Sequence, residues 1–151
     1  MKIVPYQSIG PVSFDMSESE VIAHIGAPQR TDENMNQREY HYSDFVVRFD
    51  SDNQRMCEVT LSPEIFEKVE IDQLKLDWSN HSKVFETLCQ ADGNPFDSVG
   101  FIILYKLGIA MTGFHDGNDS QKAITVFRKN SWKPYKEDKP FQFETDDHRA
   151  P

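Results

Sequence analysis

The feature that most constrains this chain is its self-similarity at one period. A helix signal and three strand signals in the first half recur in the same order in the second. Ile22 and Phe85, Ile25 and Leu88, Tyr42 and Tyr105, and Val46 and Ile109 each stand 63 residues apart, and Val59 and Ile124 stand 65 apart. Two copies are too few for a solenoid; they can form one continuous sheet, but the sequence leaves its continuity across the copies open.

The local signals define each copy. Ser17 followed by Glu20 is a capping box, and Val21, Ile22 and Ile25 then form an apolar helical face, with Gly26 and Pro28 to stop it. This predicts a helix over about 18–25. Arg30 to Gln37 reads as a polar loop, followed by strands over 39–42, 45–49 and 55–61 separated by turn residues. In the second copy, Ser79 or Asn80 caps a helix to about Cys89, with Val84, Phe85 and Leu88 on one face. Strands over 99–105, 108–114 and 123–127 follow. Residues 62–78 bridge the copies, and Pro63 can start a short helical turn there. Residues 130–151 read as an extension that Trp132, Tyr135 and Phe141 lay against the sheet, mobile from about Thr145.

The expected fold is therefore α+β: two tandem αβββ repeats, about 9–62 and 72–128, in a single domain of 1–129. An antiparallel sheet would carry both helices on one face. A length of 151 residues fits one domain, and 38% hydrophobic content is enough to order it. No apolar run is long enough to span a bilayer. The opening MKIVPYQSIGPVSFD lacks the apolar core of a signal peptide, so the expected location is the cytoplasm.

The net charge of −9 disfavours nucleic acid and anionic membrane surfaces and would steer a basic protein toward this one. Cys57 and Cys89 are isolated and sit in apolar patterns, which predicts buried structural thiols. There is no GxSxG, phosphate loop or HExxH, and none of the five His is four residues from another. The Asp50–Asn53 and His115–Asp119 stretches read as hairpin tips, whose Asx and Gly are explained by turn geometry. No metal and no cofactor is expected. Candidate binding residues are Tyr40 and Tyr42 as aromatic anchors, with Asp44, Asp50, Asp52, Asp116 and Asp119 as acids for steering and pairing.

The stretch IGPVSFDMSESEVIAHIGAP resembles the opening of SmpA/OmlA-type outer-membrane assembly lipoproteins. The tandem helix–loop–sheet plan over about 9–128 is similar to the beta-lactamase inhibitor proteins. The chain departs from the first in having no lipidation cysteine near its start, and from the second in lacking the paired disulfide cysteines. In size, acidity and lack of a catalytic constellation it looks like the small acidic immunity proteins of bacterial toxin systems. That resemblance implies a cytoplasmic protein that binds and blocks a cognate basic toxin domain. Two alternatives stand beside it. One is a non-catalytic structural or adaptor protein. The other is a small hydrolase or isomerase using His41 with Asp44, or His115 with Asp116.

Overall fold

The computed structural model describes residues 1–134 and 138–142, and Tyr135 and the tail from Thr145 lie outside that range. The chain is built mainly of β-structure. A small sheet has the order β3-β2-β1-β8, with β1 at Lys2–Val4, β2 at Ser8–Ile9, β3 at Val12–Ser13 and β8 at Glu70–Ile71. The larger sheet has nine strands. One meander is β4 (Arg30–Glu33), β5 (Gln37–His41), β6 (Phe45–Asp50) and β7 (Met56–Leu61). A second is β9 (Phe96–Ser98), β10 (Phe101–Leu104), β11 (Ile109–Thr112) and β12 (Ala123–Phe127), and β13 (Lys139–Pro140) adds to β9. The two meanders join through β7 and β12, where Thr60 stands directly opposite Thr125.

Strand alternation gives the large sheet two different faces. One cross-strand row runs Tyr40, Val47, Val59, Val126, Ile109, Leu104, and each of these side chains is buried. The neighbouring row, His41, Val46, Thr60, Thr125, Ala110, Ile103, faces the other way. The first face packs on Ile3, Ile9, Val12 and Ile71 of the small sheet, on Ile65, Phe66, Val69 and Trp78 of the connector, and on Val84, Phe85 and Leu88. Burying each such side chain contributes about 1.5–3 kcal/mol.

The expected α+β fold, with αβββ repeats and a helical layer over one sheet face, is overturned. The two α-helices among the described residues are α1 (Glu18–Ile25) and α2 (His81–Asp92), set against thirteen strands. The α1 capping box forms as expected, but only Val21 is buried, and Ile22 is 39% exposed. Helix α2 is capped by Asn80 and ends at Gly93, whose left-handed φ of 82° suits glycine. It buries Val84, Phe85, Leu88 and Cys89. Two helices this short cannot cover nine strands. The N-terminal segment and the stretch read as a bridge, 62–78, do much of the covering instead.

Each meander also has one strand more than expected. Strand β4, read as loop, is Arg-Thr-Asp-Glu and fully exposed, so it carries no apolar alternation. It pairs through its backbone and through polar side-chain contacts with β5, and its charges blunt a free sheet edge. The exact 63-residue spacing also fails within the sheet. Counting outward from Thr60 opposite Thr125, Val46 corresponds to Ala110 and Tyr40 to Ile102, spacings of 64 and 62. Val46 and Ile109 therefore lie on opposite faces, because a shift of one residue exchanges the faces of a strand.

Candidate functional site

The outward face differs between the meanders. Over β10–β12 it is apolar: Ile103, Ala110 and Phe127 are covered by Tyr6, Tyr105 and Trp132. Trp132 stacks on Phe127 at 5.4 Å. Tyr6 lies across Gly108, where a Cβ would stand 3.2 Å from its ring, and its hydroxyl donates to the Tyr105 carbonyl.

Over β4–β7 the same face is a charged ladder. Glu39 on β5 is directly opposite Asp32 on β4 and Arg48 on β6, and Arg48 is opposite Glu58 on β7. Arg48 Nε donates to Glu39 Oε2 at 2.7 Å, and its Nη1 donates to Thr60 and stands 3.8 Å from Glu58 Oε2. Thr60 and Thr125 hydroxyls meet at 2.9 Å. Gln37 donates to Glu58 Oε1. The Arg48 guanidinium holds the Glu39 carboxyl below its usual range, against the opposing effect of burial. His41 Nε2 stands 3.0 Å from Glu39 Oε1 and 3.2 Å from Asp32 Oδ2. Arg30 reaches His41 Nδ1 at 3.1 Å and Asp32 at 3.3 Å.

The aromatic anchors expected from the sequence are not free. Tyr40 is 5% exposed, packs edge-on against Phe49 and donates its hydroxyl to Glu18 Oε1 at 2.6 Å. Burial and the Glu18 carboxylate push that phenol up to about 12. Tyr42 stacks on Phe45, and its hydroxyl donates to the Gly26 carbonyl, which ties β5 to the end of α1. Alternation from His41 had suggested an open face, but both tyrosines lie toward the core.

The five expected acids divide into two groups. Asp50 and Asp52 sit in the β6–β7 turn, where Asp50 pairs with Arg128 at 3.2 Å. The β5–β6 turn, the exit of β7 and the β11–β12 loop lie at the opposite end of the sheet, because Leu61 is opposite both Phe45 and Ile124. That end holds Asp44, Asp116 and Asp119 together with Glu64 and Glu67 of the connector. One backbone bond and one ring contact fix the arrangement: Ser62 N–H donates to the Asp44 carbonyl, and Phe66 stacks on Phe114. The loop closes tightly at Gly113, where a Cβ would lie 2.6 Å from the Asn118 carbonyl oxygen. The strip spans roughly 20 Å across five strands at ~4.8 Å each.

Pairing also separates the acids. All five arginines among the described residues are held by carboxylates: Arg30 by Asp32, Arg38 by Glu18, Arg48 by Glu39, Arg55 by Glu20, and Arg128 by Asp15 and Asp50. Asp119 is held by Lys122 at 2.7 Å, which keeps its carboxyl below the usual range. Asp44, Glu64, Glu67 and Asp116 have no cation partner among the described residues, and all but half-buried Asp44 are exposed. The sequence reading missed Glu64 and Glu67 because the connector was taken only as a bridge. Their signal was the run of acids at 64, 67, 70 and 72.

Both cysteines are free and buried, and burial pushes each thiol up to about 12. For Cys57, the Glu58 and Asp50 charges push in the same direction. His41 faces the ladder and Asp44 the turn beyond it. Asp116 caps the Asn118 amide, while His115 stands edge-on to Phe141. No helix among the described residues is long and apolar enough to cross a membrane. No family model, curated protein or solved structure matches this chain.

Proposed function

We propose that the protein is a binding protein of the immunity type, which docks a basic toxin domain and blocks it. The observation that carries this reading is the gathering of uncompensated carboxylates at one end of the large sheet: Asp44, Glu64, Glu67 and Asp116. Carboxylates already neutralised by arginine contribute little field beyond their own pair. Unpartnered ones act at a distance and accelerate encounter with a basic surface. The same end carries the β9–β10 turn, with Val99 92% exposed beside Phe101. An apolar contact bordered by acids suits a protein interface, in which buried anchors hold and charges steer.

Capture at low salt on the tagged protein tests this reading, followed by assay of any basic protein that elutes as salt rises. An eluted domain whose own activity falls to background at one-to-one stoichiometry is the expected result. A retained basic protein that stays fully active, or no retained basic protein, overturns it.

A further inference from the structure

The ladder on β4 and β5 brings two carboxylates, each also paired with an arginine, and one imidazole to a single point. Asp32 and Glu39 are directly opposite on adjacent strands, a placement of like charges that costs stability. His41, two residues from Glu39 on the same face, points Nε2 between them at 3.0 Å and 3.2 Å. Arg30 always donates, so its contact with His41 Nδ1 leaves the imidazole a single Nε2 proton for two carboxylate oxygens.

We propose that Asp32, Glu39 and His41 form a binding site for a divalent transition-metal ion of the zinc class. The three ligand atoms lie within 4.8 Å of one another. A tetrahedral ion with bonds of ~2.0–2.1 Å sets its ligand atoms roughly 3.3 Å apart, close to the His41 spacings. One imidazole with two carboxylates selects this class over magnesium or calcium, which prefer all-oxygen sites. Three protein ligands leave a fourth position for water. The support around the site is in place. Arg48 binds Glu39 through Oε2 and so leaves Oε1 directed at the site, the kind of outer contact that orients a ligating carboxylate. The antiparallel register of β4 and β5 places all three residues on one face.

Arg30 is the competitor. It contacts both Asp32 Oδ2 and His41 Nδ1, and its side chain is 63% exposed, so it can swing into solvent. Metal binding requires Nε2 to give up its proton and Nδ1 to take one, which the Arg30 contact opposes. The site therefore makes two opposite predictions for neighbouring residues.

Titration of the purified protein with zinc sulfate, and with cobalt(II) followed by visible absorption, tests the assignment. One ion per chain is expected, with a cobalt spectrum of low coordination number. His41→Ala and Asp32→Asn should each weaken zinc binding at least tenfold, while Arg30→Ala should tighten it. Asp32 is half exposed, so Asp32→Asn leaves folding intact and keeps the test decisive if His41→Ala unfolds. Zinc binding unchanged in Asp32→Asn, weaker binding in Arg30→Ala, equal affinity for magnesium, or no binding to the wild type would each overturn the assignment.

Discussion

The two meanders of the large sheet share one plan and differ on their outward faces. Over β10–β12 that face is hydrophobic and is closed by Tyr6, Tyr105 and Trp132. Over β4–β7 no comparable apolar cover lies on it among the described residues, and its carboxylates, guanidiniums and hydroxyls satisfy one another. The contrast follows from solvation. A covered face must be apolar, because a buried polar group without a partner costs about 1–3 kcal/mol. An uncovered face can keep charges, because water and neighbouring groups of opposite sign solvate them. The covered half gives the sheet stability, and the polar half offers groups that a ligand can reach.

The largest effect is expected in the covered half. Phe127 is 1% exposed and touches Tyr6, Tyr105 and Trp132, so Phe127→Ala should cost about 3–5 kcal/mol in urea unfolding. A loss below ~1 kcal/mol would mean that this cover is not packed as described. In the polar half, Arg48→Ala removes the shared partner of Glu39, Glu58 and Thr60, with an expected loss of about 1–3 kcal/mol. Equal losses at the two positions would erase the distinction between the halves.

A smaller effect concerns pH. His81 sits among Phe66, Trp78 and Phe114 and accepts from Lys122 Nζ at 3.0 Å. Burial first, and then the Lys122 ammonium, hold its imidazole below the ordinary 6.5. The unfolded chain therefore takes up this proton more readily than the folded one. The stability from this site is complete above about 6.5 and is lost as pH falls through the folded value. In unfolding titrations between pH 7 and 5, His81→Gln should show a shallower decline than the wild type, and parallel curves would contradict it.

The smallest effect is expected at the β9–β10 turn. Val99 and Gly100 both have positive φ, 52° and 90°, as a type I′ turn requires, and a β-branched residue is strained there. Val99→Asn should stabilise by about 0.5–1 kcal/mol in thermal or urea unfolding. In the proposed function, Val99 stands at the binding end, where an exposed apolar side chain is more useful than an ideal turn. The same variant should then weaken partner binding while stabilising the free protein, a split that a purely structural residue would not show.

Legibility in the sequence followed the strength of local signals. The α1 cap at Ser17 and Glu20, the Pro63 turn and the buried thiols could be read because each rests on adjacent residues. Strand β4 could not, since Arg30–Glu33 has no apolar residue to alternate. The small sheet could not, since β1, β2, β3 and β8 are two or three residues long and pair across the chain. Tyr40 and Tyr42 were placed on the wrong face because alternation reports two faces without saying which one is covered. The Asp32, Glu39 and His41 group depends on the register of β4, and the acidic end depends on the connector turning back beside Asp44. Both are tertiary facts.

The most direct test of the proposed function is the association rate with the captured basic domain, measured against ionic strength. Wild type is compared with the Glu64→Lys, Glu67→Lys, Asp116→Lys triple variant. Uncompensated carboxylates that steer the encounter predict a rate at least tenfold lower for the variant at low salt, with a much flatter salt dependence. Equal rates and equal slopes for the two proteins would contradict the account.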